Sequence, residues 1–492
     1  MSAAEMHAAR TRAVRRRMRW LAGFALAGSL AGGCRCKQET LAPVEFMTGS
    51  DRAPVDPNSV LAPPWEPPLA AQLDNGALLH WLREPGSPAF HVRVLLPTSL
   101  DADKLSAAAT AAVVESIEQR LAARIRRIGD ARYDLRSRPG RIEIAVHGRD
   151  VDAEAVLEAL ALTLADAGDA KHLTVAQGKV LARHRAADPS TLAAAGLTAI
   201  LLEHPLAHEY AAKQDLVDLS KKTLERAWSE FIDPRDALVV VHSGRDPEDE
   251  AMIAALAKLG TKWKSGGLGF GSGKPSVTER LRAEPPKKPL DTWVLSSTAP
   301  APMRVFPGKP EPGGRAVVML GRLIPTATLE ERTLARISQR LLQEELDARL
   351  LVAGPVSLLA IRVRISARDP ISNIENAVAR MQGFASEAQP VARIDQAANL
   401  WLGARMVEAS LLGEDWTALW SESIDLAGND REIFVAMARD AQTMLELQPE
   451  QVREYMAKWF DPRGGEPGWV LVGAGIDDAF RAKLAAKIQL VD

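Results

Sequence analysis

The chain repeats itself. Residues 219–235 read LSKKTLERAWSEFIDPR, and 228 positions later residues 447–463 read LQPEQVREYMAKWFDPR. Each is followed by an apolar run ending in glycine, ALVVVHSG and GWVLVGAG. The same offset carries LLPT at 95–98 onto LIPT at 323–326, each time after a strand-like run and before a helical one. Two matches at one spacing imply two halves of one fold, because a duplicated unit preserves the distance between its parts. The predicted halves are 69–260 and 300–492, with a linker over 261–299 rich in Gly, Pro and Lys (KSGGLGFGSGKP, AEPPKKP).

Within the first half, ALLHWL and FHVRVLL read as strands around a turn made by Pro85, Gly86 and Pro88. RIEIAVHG alternates Ile142, Ile144 and Val146 with the two-residue period of a strand. Leu105, Ala109, Ala112, Val113, Ile117, Leu121, Ile125 and Ile128 recur at three and four, which predicts a helix over 105–128 with one buried face. Strands and helices mixed without regular alternation give an α+β class. The expected architecture is two tandem homologous domains, each a mainly antiparallel sheet with packed helices, joined by the linker into a clamshell.

The first 33 residues differ from the rest. Six arginines between Arg10 and Arg19 run into WLAGFALAGSLAGG and then Cys34, the layout of a secretory signal peptide. The apolar run is 14 residues, shorter than the ~20 that span a bilayer. Leu30, Ala31, Gly32 and Gly33 before Cys34 resemble the bacterial lipobox, so 1–33 is read as a lipoprotein signal and Cys34 as the lipidated mature terminus. A plain secretory signal with a stray cysteine is the alternative. Cys36 is the only other thiol, so the mature chain has no disulfide framework. Cleavage leaves 55 Lys and Arg against 62 Asp and Glu, net −7, which carries no basic nucleic-acid footprint. Residues 34–68 hold seven prolines and read as a semi-extended tether.

Three stretches carry a resemblance: LDNGALLHWLREPGSPAFHVRVLLP, IGDARYDLRSRPGRIEIAVHG, and HPLAHEYAAKQDLVDLSKKTLERAWSEFIDPRDALVVVHSG. In that order, and duplicated, they resemble the pitrilysin/insulinase family of inverted zinc peptidases and the mitochondrial-processing-peptidase-like proteins. Active members carry H-x-x-E-H on a helix, with two imidazoles on zinc, a glutamate that activates the bound water, and a distant glutamate that completes the ligand set. The resemblance places that motif on Ala112, Val113, Val114, Glu115 and Ser116, and the distant ligand on Ala182 or Arg183. It implies a chain that keeps the base-like Glu115 and lacks all three ligands. The family's second-half arginine and tyrosine, which hold the substrate carbonyl, fall on Leu346 and Ala353. Arg340 and Arg349 nearby read as the charged face of an amphipathic helix. Without imidazoles no metal acidifies a water, and a lone glutamate is a weak base for amide hydrolysis. Glu115 is expected as a solvated or cleft-lining carboxylate.

One rival metal cluster exists, EHPLAHE at 203–209, with His204 and His208. Pro205 breaks a helix there, and the bland reading is a solvent-facing loop. The leading functional expectation is a catalytically inactive, lipid-anchored, peptidase-like subunit of the cell envelope, expected at the outer membrane, that binds no metal or cofactor and pairs with an active zinc peptidase. The alternatives are a stand-alone scaffold that holds an extended polypeptide, and an active metallopeptidase using an unrecognised metal site.

Overall fold

The computed structural model describes residues 68–491 apart from 98–106, 139–140, 166–169, 203–216, 265–300, 307–308, 312, 354, 413–415, 425–429, 467 and 486–487. The signal segment, Cys34 and nearly all of the tether and linker lie outside the described residues, as do His204 and His208.

The first half begins with β1 (Leu69–Gln72), β2 (Leu78–Arg83) and β3 (Ala89–Pro97), followed by helix α1 (Ala107–Ile125). Next come β4 (Arg132–Arg138), β5 (Arg141–Arg149), α2 (Ala153–Leu164), α3 (Ala170–Ala186) and α4 (Pro189–Leu202). Helix α5 (Lys221–Phe231), β6 (Leu238–Ser243) and α6 (Glu250–Lys262) complete it. The second half opens with β7 (Ala301–Phe306), β8 (Arg315–Pro325), α7 (Leu329–Gln343), β9 (Asp347–Ala353) and β10 (Val356–Ser366). Helices α8 (Pro370–Ser386), α9 (Val391–Leu412), α10 (Trp416–Ile424), α11 (Asp430–Glu446) and α12 (Pro449–Trp459) follow, then β11 (Val470–Ala474), α13 (Asp478–Leu484) and β12 (Ile488–Val491).

The two sheets have the same plan. Their strand orders are β1-β2-β6-β3-β5-β4 and β12-β7-β11-β8-β10-β9. In each, the closing strand pairs in parallel with the opening strand and antiparallel with the next one. The outermost strand beside the opening strand is the exception. It comes from the start of the first half, β1, and from the end of the second, β12.

The repeated motif is a turn device. Asp233 Oδ1 accepts from the Arg235 backbone N–H at 3.0 Å, and Asp461 Oδ1 accepts from the Arg463 N–H at 2.8 Å. Each Asp-Pro-Arg thereby ends a helix and leads to a closing strand. Gly76, with φ +91°, lies against Arg235, and a Cβ there would sit 2.9 Å from the Arg235 Cγ. Residue 76 must therefore be glycine in the Asn-Gly turn that opens β2.

Helix α1 buries Ala109, Ala112, Val113, Ile117, Leu121 and Ile125 against Phe90, Val92, Val94 and Leu96 of β3. It ends at Ile125, three residues before the expected end, because the chain turns into Gly129 at φ +36° and the Ile128 N–H bonds the Ile125 carbonyl at 2.9 Å. The start expected at Leu105 lies outside the described residues.

The other face of each sheet is covered by the opposite half. Helix α10 packs Trp416, Trp420 and Ile424 on Leu82, Leu95, Leu238 and Val240 of the first sheet. Helix α4 packs Leu192, Leu197 and Leu201 on Val317, Met319, Val470 and Val472 of the second. These two helices are themselves about one repeat apart in sequence. Each half therefore lends the other a cover for its apolar sheet face, and neither core is complete alone.

Candidate functional site

Glu115 sits where α1 meets α3. Its side chain is 7% exposed and its Oε2 is ion-paired with the Arg183 guanidinium from α3. Gln119, one turn along α1, donates to Oε1 at 2.9 Å. The carboxylate is thus buried and fully engaged. The expectation of a solvated Glu115 is corrected: helix packing of α1 on α3 removes it from bulk water, and only its place at the wall of a cleft stands.

The flanking positions are Ala112, fully buried in the first core, and Ser116, buried with an Oγ that makes no hydrogen bond among the described residues. Ala182 is exposed on α3 beside Arg183. The structure therefore brings together Glu115 and Arg183, two positions that the resemblance assigned to one metal centre, and joins them directly as a salt bridge. A divalent cation does not fit this arrangement. The one carboxylate is already held by a fixed positive charge, and a metal there would meet guanidinium repulsion without imidazole or thiolate donors. Among the described residues no group of three or more His, Cys, Asp or Glu is placed to hold a metal ion.

Beside the pair lies an open groove of about 450 Å³, lined by Glu115, Glu118, Gln119, Arg126, Tyr133 and Lys179 together with two alanines of α1. Burial, and then the Glu118 carboxylate, push the Tyr133 hydroxyl above its ordinary value, although Arg126 opposes this. Tyr133 remains a neutral donor at physiological pH. Sequence reasoning passed over Lys179, Arg126 and Tyr133, which become neighbours only when α1, α3 and β4 pack together.

In the second half, Leu346 lies in the turn before β9, partly buried against the second core, and Ala353 ends that strand. Arg340 is exposed on α7 and donates to Gln343 Oε1 at 3.4 Å. Arg349 is not on a helix. It lies on β9, opposite Ala360 of β10 and paired with Asp347 at 3.5 Å. The correction has a simple cause: α7 stops at Gln343, and the following apolar run extends to pair with β10. Tyr455 is buried and donates to the Pro325 carbonyl at 2.9 Å, a structural bond between α12 and β8.

A further polar cluster ties the halves together. Glu143 accepts from Arg141 Nε at 2.7 Å, Ser421 Oγ at 2.8 Å and Arg93 Nη1 at 3.3 Å. Arg141 Nη2 also reaches the Ser421 carbonyl at 3.2 Å, and Trp420 Nε1 donates to His80 Nδ1 at 3.0 Å. Its three charged side chains are at most 5% exposed, so the cluster is an internal fastening between the first sheet and α10.

The two α+β halves have the fold of M16 peptidases, the fold that the pitrilysin/insulinase resemblance implies. Comparison with solved structures gives the same result. A Helicobacter pylori protease superposes with TM-score 0.63 at 12% identity, over 83% of this chain and 99% of that one. The peptidase M16 inactive domain from Pseudomonas fluorescens gives 0.57 at 13% identity, over 83% and 97%. The periplasmic protease PqqL from Escherichia coli gives 0.51 at 11% identity, over 86% of this chain and 49% of that one. At these identities the likeness is one of fold. No protein-family model and no curated protein matches the sequence.

Proposed function

We propose that this chain is a non-catalytic M16-type subunit of the cell envelope, tethered through a lipidated Cys34 and paired with an active zinc-peptidase chain. The observation that carries the reading is the Glu115–Arg183 ion pair. At the position the resemblance gives to a metal and its base, the carboxylate is neutralised by a guanidinium, while the helix, sheet and groove around it are kept. Shape retained without a reactive centre fits a wall that meets polypeptide rather than cleaves it.

Pairing draws support from size. This chain matches about half the length of the periplasmic protease of Escherichia coli, so one unit of this fold corresponds to half of a longer peptidase. Among the described residues no helix is long and apolar enough to cross a membrane, and anchoring is assigned to the lipid on Cys34 in the outer membrane.

Gentle detergent extraction of native envelopes, followed by affinity capture of the full chain, tests the proposal. The expected result is co-purification of a chain bearing H-x-x-E-H, through an interface above ~1,000 Å² that survives gel filtration. Elution of this chain alone, with unchanged peptidase activity in cells lacking it, would refute the pairing. Stoichiometric zinc lost on His204→Ala or His208→Ala would instead favour the metal site at 203–209. Mass spectrometry of the N-terminal peptide checks Cys34.

A further inference from the structure

The outer edge of the first sheet, which β4 forms among the described residues, carries a run of arginines of which only Arg126 lines the groove above. Residues 124–141 contain seven arginines and two aspartates, in a chain of formal net charge −2. Arg141 belongs to the buried cluster with Glu143. Arg126, Arg127, Arg132 and Arg136 are exposed. Arg136 pairs with Asp134 at 2.5 Å, whereas Arg126, Arg127 and Arg132 make no ion pair among the described residues.

These arginines frame β4, the outermost strand of its sheet. Its outer edge offers backbone N–H and C=O groups that β5 does not take up. Arg132 and Arg136 project to one face, while Tyr133 and Leu135 pack toward the first core on the other. On that second face the groove adds Arg126 and Lys179. The acids nearby do not cancel this charge. Glu115 is already paired with Arg183, which leaves Glu118 in the groove and Asp130 in the turn.

The corresponding edge strand of the second half, β9, reads DARLLVA, and its single arginine is balanced by Asp347. The basic edge is therefore a property of this half, not of the repeated fold. No large apolar side chain is exposed between 124 and 138, so the surface lacks the residues by which a basic face embeds in a bilayer.

We propose that this edge binds an extended, acidic segment of a partner polypeptide, whose carboxylates meet Arg126, Arg127 and Arg132. Arg126 and Arg127 in the turn before β4 and Arg132 at its first residue gather unpaired positive charge at one end of the outermost described strand, whose outer backbone groups can pair with a chain in β conformation. The proposal rests on the reading of this chain as a polypeptide-binding wall and adds the chemical class that the wall selects.

The test is fluorescence anisotropy with the full chain in a neutral detergent and short labelled β-forming peptides carrying Glu, Ser or Lys at alternate positions. The Glu peptide is expected to bind about tenfold tighter than the Ser peptide, the sum of several exposed ion pairs. That preference should fade as salt shortens the Debye length. It should vanish in R126Q/R127Q/R132Q and persist in R126K/R127K/R132K, with circular dichroism confirming that both variants fold. Equal affinity for the three peptides, or a preference unchanged in the glutamine variant, overturns the proposal. So does arginine-dependent flotation on phosphatidylglycerol vesicles without a peptide preference, which would assign the patch to a membrane. A Glu preference in a chain that captures no peptidase would sink the pairing alone and leave the acidic-segment site standing.

Discussion

Replacing Glu143 by glutamine should weaken the whole molecule, not just one sheet. Glu143 is 1% exposed and receives Arg93 and Arg141 from the first half together with Ser421 from the second. Glutamine keeps the volume and removes the anion that the two guanidiniums share. Breaking a buried ion pair by removing one partner costs about 3–5 kcal/mol, since the remaining charge stays out of water. Ser421→Ala removes one hydrogen bond to a charged acceptor and should cost less, about 2 kcal/mol. Urea unfolding followed by circular dichroism reads both values, and with a slope of about 3 kcal/mol/M the Glu143→Gln midpoint falls by about 1–1.7 M. Because the cluster joins β3 and β5 to α10, hydrogen exchange should accelerate in residues 89–97 and 416–424 together. A loss below about 1 kcal/mol, or faster exchange confined to the first half, would refute the idea that Glu143 fastens the two halves.

Three further outcomes are expected. Arg183→Ala should destabilise more than Glu115→Gln, by about 1 kcal/mol in thermal unfolding, because it strands a buried carboxylate, whereas the glutamine side chain introduced by the second variant is neutral and keeps its contact with Gln119. Gly321→Ala should cost about 1–3 kcal/mol, since its Cβ would lie 2.4 Å from Leu197 Cδ2 and would wedge α4 off the second sheet. The His242 hydrogen bond holds the Glu84 carboxyl below its ordinary value despite partial burial. A depressed carboxyl pKa adds stability above the unfolded-state value, and this is lost as pH falls through the folded one. Acid titration of unfolding should therefore show a loss below about pH 4.3 that Glu84→Gln reduces.

The duplication, the α+β class and the helix that carries Glu115 were legible in the sequence because they rest on local signals. An Asp-Pro-Arg turn and a run of apolar residues at helical spacing each act within a few residues, and repetition of the Asp-Pro-Arg segment at one offset exposes the duplication. The resemblance also paired Glu115 with position 183, though only as members of an absent ligand set. That these two side chains bind each other needed the packing of α1 on α3.

The exchange of cover helices was decided by tertiary structure alone. Periodicity marks α4 and α10 as apolar without stating which sheet they cover, and each covers the sheet of the other half. At the equivalent sheet position one half places Gly321 beneath Leu197, and the other places Arg93, which reaches Thr417 and Glu143. The same backbone plan thus admits an apolar fit on one side and a buried charge cluster on the other. A pattern along the chain records that a face is buried. It does not record the partner, because hydrophobic burial is non-directional, and only three-dimensional packing matches one apolar face to another.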